Sequence, residues 1–387
     1  MKKIIFKTLF TAASLCICLN AAEQTPPSRV YLPSIRTCLD CQNKQRSFTA
    51  KIDMDAMALI ARQAGLEFAL HNEKGSLVDP VSGDTETLQE HEGKIYAPKA
   101  NWDPAFRLAL AFFTPFDDWN LQLAASSFRT KAHMTTEMEN TPNGFGGPGI
   151  MPLSAGSAPD QEIWGGHNTA RWGYAQAKWK MRFKDAEIAL NRNYCFGTYL
   201  SILTGFGIKT IWIKQKYRVA YRNGNWVDFV GLQFQRHINY NDVFLKCRSY
   251  GIGPIFNFDT QWRLGYQWNV IAKAAAALIG TRFSTLRSDV DDTTDQGLLE
   301  YHTEFILRNK FWTFRPYTKF DVGLGWNICT NMYGSSNQNL GLSLLYEIQT
   351  FWKQNEFIQS EGAWPGLMPA QSNLVLHGFV ANLNFIF

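Results

Sequence analysis

Four cations lie at even-numbered positions of the stretch IWIKQKYRVAYR, at 211–222 of this 387-residue chain. Side chains alternate between the two faces of a β-strand, so this spacing predicts a strand with one basic face and one apolar face. The basic face holds Lys214, Lys216, Arg218 and Arg222, and the apolar face holds Ile211, Ile213, Tyr217, Val219 and Tyr221. A basic face of this kind can attract anions from water.

Other charges follow the same two-residue period. From 48 to 60 the even positions are apolar and several odd positions are charged, and 106–112 and the stretch DAEIALNR alternate in the same way. Of the charged residues in these runs, we predict that Lys51, Asp53, Asp55, Arg107 and Glu187 line the interior. The turn TPFDD separates 106–112 from another alternating run at 119–126, which predicts a hairpin.

The first 22 residues have the features of a secretory signal peptide. Three lysines precede an apolar run to about Leu19, and small residues follow at Ala21 and Ala22. A membrane anchor is disfavoured, because the run is shorter than the roughly 20 residues of a spanning helix. Of 38 Lys and Arg, these three would be removed, which leaves 35 against 33 Asp and Glu. This balance does not suggest a nucleic-acid partner.

Five of the seven cysteines remain after removal of the segment 1–22. Cys38 and Cys41 form a CxxC in a polar segment at 23–47, without the βαβ pattern of a redox site or the second ligand pair of a zinc site. A local or intermolecular disulfide is therefore favoured there. An odd number of cysteines in an exported protein leaves at least one thiol free or paired between chains.

The chain ends in FVANLNFIF, in which Phe379, Phe385 and Phe387 share one face of a predicted last strand. With the export signal and an aromatic content of 14%, the alternating strands indicate an all-β, antiparallel outer-membrane β-barrel over 48–387. A strand can cross lipid only in a closed barrel, so the last strand is expected beside the first. The terminal aromatic resembles the signal that the barrel-assembly machinery recognises.

Long polar stretches between the alternating runs predict long outer loops and short periplasmic turns, with about 12 to 18 strands for this length. The loop predicted at 130–168 could constrict the bore or lie in solvent. A Lys or Arg that faces lipid at mid-membrane costs roughly 2–4 kcal/mol. We therefore predict that the four cations of 211–222 line the pore or lie near its rim, as part of a wall that favours anions or balanced by lumenal carboxylates.

Several segments resemble a known family when taken in order. They are SFTAKIDMDAMALIARQAGLEFAL, ANWDPAFRLALAFFTPFDDWNLQL, FGIKTIWIKQKYRVAY, YGIGPIFNFDTQWRLG, FRPYTKFDVGLGWN and SNLVLHGFVANLNFIF. This set is similar to the Legionella-type major outer membrane proteins and the MOMP-like proteins of chlamydia-like bacteria. The resemblance implies an abundant outer-membrane barrel, thought to act as a porin and sometimes cross-linked through cysteines, and it supplies no catalytic residues.

The predicted function is a water-filled channel for passive diffusion of small hydrophilic solutes or ions, without a cofactor. The first alternative is a structural or adhesive protein whose molecules are cross-linked by disulfides, and porin trimers are common enough that a homo-oligomer is also considered. Cysteines that could bridge neighbours are Cys195, Cys247 and Cys329. Outer-membrane lipid is the remaining expected partner.

An outer-membrane enzyme is the second alternative, and the sequence disfavours it. The seven histidines are scattered, and no GxSxG motif is present. The stretch DVDDTTDQGLLE has nearly the spacing of an EF-hand calcium loop, but Thr294 occupies the position that requires glycine. We therefore expect neither a catalytic nor a metal site, and interpret this stretch as a hydrated acidic loop.

Overall fold

A computed structural model describes eleven ranges of the chain: 49–72, 93–114, 119–138, 149–153, 171–196, 199–228, 234–265, 267–295, 299–330, 338–361 and 366–386. The predicted signal peptide, the CxxC of Cys38 and Cys41, and Phe387 lie outside these ranges. In the part of the chain that is described, no helix is long and apolar enough to span a membrane.

The described ranges contain strands and their connections. In chain order these strands are β1 (Thr49–Gln63), β2 (Ala69–Asn72), β3 (Gly93–Tyr96), β4 (Asp103–Phe113), β5 (Trp119–Glu137), β6 (Gly149–Pro152), β7 (Arg171–Phe196), β8 (Leu200–Asp228), β9 (Phe234–Gly265), β10 (Trp268–Asp295), β11 (Leu299–Thr330), β12 (Gln338–Asn355), β13 (Ile358–Glu361), β14 (Gly366–Pro369) and β15 (Ser372–Ile386).

Ten of these strands close into an antiparallel ring, in the order β1-β4-β5-β7-β8-β9-β10-β11-β12-β15. The ring is completed where β15 pairs with β1, from Lys51 opposite Ile386 to Gln63 opposite Leu374. This closure confirms the predicted outer-membrane type of barrel, with the last strand beside the first. The predicted hairpin is β4–β5, where the Thr114 amide donates to the Trp119 carbonyl at 2.9 Å.

The predicted strand number is wrong: the ring in the described ranges has ten strands, not 12 to 18. The prediction divided the chain among strands just long enough to span lipid, which needs about 9–11 residues. Strands β7 to β11 instead have 26, 29, 32, 28 and 32 residues. Polar sequence at 130–137 and 288–295, predicted as loop, belongs to β5 and β10, because strand outside the lipid tolerates polar side chains.

Alternation gives the ring an apolar outer band. Outward side chains of β8 to β12 in this band include Phe206, Ile208, Ile252, Phe256, Leu278, Phe314, Phe320 and Leu344, all exposed. Exposed aromatic residues border the band, with Tyr199, Trp262, Trp268 and Trp326 at one edge and Trp212, Tyr250 and Trp312 at the other. Such girdles mark the two interfaces of a membrane.

The two ends of the ring differ in the length of their connections. At the end where β1 begins, strands are joined through 114–118, 197–199, 266–267 and 331–337. At the opposite end they are joined through 64–102, 138–170, 229–233, 296–298 and 356–371, three of which are longer than any connection at the first end. Because outer-membrane barrels have short periplasmic turns and longer outer loops, the second end faces the outside of the cell.

Candidate functional site

The interior of the ring receives one group of the predicted site residues. Lys51, Asp53 and Asp55 of β1 share its inward face, and Arg107 of β4 and Glu187 of β7 also point inward. Asp55 is buried, and its carboxylate lies 3.2 Å from Arg107 Nη1. The alternation of these strands therefore places acidic and basic groups together inside the barrel.

The prediction that Lys214, Lys216, Arg218 and Arg222 line the pore is wrong. The first three are exposed on the outer surface of β8, whereas Ile211, Ile213, Tyr217, Val219 and Tyr221 are buried inside. Arg222 shares the outward parity and pairs with Asp242, as does Arg218. The energetic cost that argued against an outward orientation applies only at mid-membrane, and this part of the long strand extends past the girdle residue Trp212.

Arg107 belongs to a network that joins five strands. Its Nη2 lies 2.8 Å from the Glu347 carboxylate of β12. The ammonium group of Lys319 on β11 lies 3.2 Å from the same carboxylate. It also lies 3.0 Å from the carboxylate of Asp321. On the other side, Asn382 of β15 donates to Asp55 at 2.5 Å. Glu347 is fully buried, so its two cationic partners offset the cost of removing its charge from water.

A second network lies on β7 and β8. Lys209 is buried, forms an ion pair with Asp185, and approaches Glu187 at 3.3 Å. Ser126 also donates to Asp185, and Asn257 donates to Glu187 at 2.7 Å. Each carboxylate thus has a cation and a neutral donor, which is the arrangement that buried charges require.

The two networks surround a cavity of about 100 Å³. Charged groups on its wall are Asp53, Asp55, Asp185, Glu187, Asp259, Arg107, Lys209, Lys273 and Lys319. A cavity of this size with polar walls can hold several water molecules. The interior inside the apolar band is therefore polar and charged, with five carboxylates and four cations on this wall.

Aromatic side chains fill the interior on the outer side of this cavity. Phe351 packs between Phe183 and Tyr317, with ring centroids at 5.3 Å and 4.9 Å. Trp179 is buried and donates to Gln215 at 3.1 Å. This layer lies between the charged cavity and the outer end of the barrel, and it narrows the interior there.

Two connecting segments fold into the outer part of the barrel and pack above the aromatic layer. The segment 355–358 follows β12, and Phe357 stacks on Tyr217 at 5.9 Å while Arg287 donates to the Ile358 carbonyl at 2.9 Å. The segment 64–69 follows β1, where Gly65 has φ +78°, a conformation that favours glycine. Tyr217 and Tyr221 each donate to a carbonyl of that segment at 2.6 Å.

Several charged residues of the interior were not predicted from the sequence. Glu347, Lys319, Asp321, Lys209 and Asp185 all lie in alternating sequence, as the predicted interior residues do. The stretch TKFDVGLGW alternates charged and apolar residues from Lys319 to Asp321, and that pattern would have placed both inside. Pairing between distant strands, as between Arg107 and Glu347, leaves no local pattern.

The cysteines of the described ranges differ in exposure. Cys195 is exposed near the periplasmic end of β7, whereas Cys247 is a buried thiol inside β9. Cys247 therefore cannot bridge neighbouring molecules while the barrel is folded, contrary to the cross-linking role considered for it. Cys329 belongs to β11, but its side chain is not among those that the structure describes.

A closed antiparallel ring with an apolar outer band, aromatic girdles and a charged interior defines an outer-membrane β-barrel protein. The chain belongs to the Legionella-type major outer membrane protein family: the family described as Legionella pneumophila major outer membrane protein precursor matches residues 49–387. Its location is the outer membrane.

Several solved structures are distant matches to this chain. The outer membrane protease OmpT from Escherichia coli has 10% identity and a TM-score of 0.38, with 89% of this chain and 99% of that chain covered. The Pseudomonas putida toluene transporter TodX has 7% identity and a TM-score of 0.23, with 87% and 89% covered. A Pseudomonas aeruginosa FadL homologue has 8% identity and a TM-score of 0.22, with 88% of this chain and 90% of that chain covered. These values transfer no function, and no curated protein matches the chain.

Proposed function

We propose that the protein is a narrow outer-membrane channel for the passive passage of water, ions and small hydrophilic solutes. The observation that carries the proposal is the charged cavity inside the apolar band, with nine ionisable groups on its wall. A barrel that served only as a wall could fill its interior with apolar side chains, which are often as stabilising as buried ion pairs or more so. A charged interior with room for water would provide a route for hydrated ions.

The wall of this cavity favours cations weakly. Its five carboxylates outnumber its four cations, and the basic row of β8 contributes nothing to it because that row lies outside the barrel. Most of these groups are paired, so the field that a passing ion meets is small. We therefore expect a channel with a slight preference for cations, rather than the anion preference that the basic row suggested.

The channel is also narrower than a general diffusion porin. Ten strands enclose little more than the eight-stranded barrels that side chains fill completely. The aromatic layer and the segments 64–69 and 355–358 fill part of the outer interior with buried side chains. Passage of solutes larger than small ions would require these segments to move outward.

Electrical recording from single molecules tests the proposal. The purified, refolded protein is inserted into a planar lipid bilayer, and conductance and reversal potential are measured in a salt gradient. Small, discrete, ohmic steps with a reversal potential of the sign for cations are expected. A folded barrel, verified by its heat-modifiable migration on a gel, that gives no steps above the bare bilayer would refute the channel function.

A further inference from the structure

A band of cations crosses the outer surface of the barrel just beyond the aromatic girdle. Register places Arg182 of β7 opposite Lys214 of β8, and Lys214 opposite Arg248 of β9. One step further along the strands, Lys180 lies opposite Lys216, and Lys216 opposite Lys246. We call these six residues, with Arg308 and Lys310 of β11, the basic band. All point outward, and all but the half-buried Lys246 are exposed.

The basic band contains like charges at positions where a sheet normally avoids them. Directly opposite residues have Cβ atoms about 4.5–5.5 Å apart, and like charges in that relationship are destabilising. Arg218 and Arg222, further out on β8, both pair with Asp242. Among the residues that the structure describes, no carboxylate lies within 4 Å of a cation of the basic band. The band therefore has an excess of positive charge that an external anion can neutralise.

The part of the basic band between β9 and β11 contains a depression of about 270 Å³. Lys246 and Arg248 border it on one side, and Arg308 and Lys310 border it on the other. Ser284 and Leu286 of β10 lie between the two pairs, opposite them in register. Four cations around a concave surface with a hydroxyl at its floor match the oxygen atoms of a phosphate group.

The position of the depression defines the kind of phosphate. In the next row of outward-facing residues toward the membrane, the register places Trp212 opposite Tyr250, Tyr250 opposite Arg282, and Arg282 opposite Trp312. These girdle side chains are followed by the apolar band, which faces the lipid chains. A ligand in the depression can therefore keep its acyl chains on the apolar band while its phosphate contacts the cations.

We propose that the depression between β9 and β11 binds a phosphate group of a phosphorylated glycolipid of the outer leaflet, the lipid A part of lipopolysaccharide. Arg248 and Lys310 hold the phosphate from opposite sides, and Lys246 and Arg308 complete the site. Trp212 and Trp312 contact the glucosamine and acyl region at the girdle. The rest of the basic band attracts further phosphates of neighbouring lipid molecules.

Binding is tested with the full-length protein refolded in a detergent micelle. Three probes are compared: bisphosphorylated lipid A, dephosphorylated lipid A and inorganic phosphate. The readouts are the change in tryptophan fluorescence, to which Trp212 and Trp312 beside the site contribute, and the midpoint of thermal unfolding. Saturable binding of bisphosphorylated lipid A that weakens with added salt is expected, because exposed charge pairs are screened.

Paired variants assign the binding to this site. In Arg248→Gln with Lys310→Gln, the dissociation constant for bisphosphorylated lipid A is expected to rise about tenfold or more, since two charge-assisted contacts are lost. The matched control is Arg62→Gln with Lys99→Gln, which removes two exposed cations outside the basic band and should leave the constant unchanged. Circular dichroism verifies that both variants are folded.

Three results would overturn the proposal. Equal affinity for dephosphorylated lipid A would show that acyl chains alone hold the lipid. Full competition by inorganic phosphate at the concentration that saturates with lipid A would indicate a site for free phosphate instead. An unchanged dissociation constant in the folded Arg248 and Lys310 variant would place any lipid binding elsewhere. None of these results depends on conduction, so the channel function is tested separately.

Discussion

Arg107 of β4 donates a hydrogen bond to Glu347 of β12 at 2.8 Å, although 240 residues separate them in the chain. The ring brings them together because β1 and β15, which lie between β4 and β12, close the barrel. Glu347 also forms an ion pair with Lys319, at 3.2 Å. One buried carboxylate therefore links strands from the beginning and the end of the barrel.

Glu347→Gln is expected to destabilise the barrel, because it leaves Arg107 and Lys319 without their shared anion. Removing one partner of a buried ion pair typically costs about 3–5 kcal/mol. Equilibrium unfolding in urea, in the presence of lipid vesicles, measures the loss. The double variant Arg107→Gln with Glu347→Gln should lose less than the sum of the single variants, and simple additivity would contradict the coupling.

Lys209→Gln is expected to make the channel more selective for cations. The substitution leaves Asp185 and Glu187 of the cavity wall without their ammonium partner, so the wall becomes more negative. The shift appears as a change of reversal potential in a salt gradient. Lys214→Gln is the matched control, because it removes the same charge from the outer surface of β8. An equal shift in both variants would contradict the assignment of Lys209 to the conduction path.

Phe357→Ala is expected to increase single-channel conductance. The substitution removes the ring that stacks on Tyr217 and so vacates part of the outer interior. Phe379→Ala is the control, because that ring points to lipid and is 50% exposed. If both variants conduct as the unsubstituted protein does, the segment 355–358 does not limit passage.

Cys247 is expected to resist a bulky maleimide in the folded barrel and to react after unfolding in urea. Its thiol is buried among the interior side chains, so the reagent cannot reach it until the strands separate. Mass spectrometry of the digested protein locates the label. Modification of Cys247 in the folded protein, at the rate seen in urea, would show that the interior opens readily to solutes of that size.

The alternation of single strands, taken with the export signal, the aromatic content and the aromatic end of the chain, predicted the class of fold and the closure of β15 on β1. It also placed Lys51, Asp53, Asp55, Arg107 and Glu187 on faces that the structure turns inward. It failed for β8, because a period of two tells which residues share a face but not which face is inside. This part of β8 extends beyond the membrane, where the outer surface of the barrel faces water. The apolar face of Ile211, Ile213 and Tyr217 therefore packs against the side chains that fill the interior.

The strand number and the interior pairs could not be predicted for a different reason. Strand length depends on how far the barrel extends beyond the lipid, and nothing in the local sequence marks where the membrane ends. Partners such as Arg107 and Glu347 meet only after the register of several strand pairs is set. Leu66 and Phe68 alternate as in a strand and 355–358 has no periodic pattern, so the entry of these two segments into the barrel could not be predicted.

The pairing of β1 with β15 also determines when the barrel can be finished. Lys51 meets Ile386 across a chain separation that spans nearly the whole barrel, so the first strand waits for its partner until the last one has been made. Contacts between such distant residues slow folding, since the entropy of a long loop is lost before the contact forms. During that wait the edges of both strands are open to wrong partners. The protein therefore has to be protected from aggregation on its way across the periplasm.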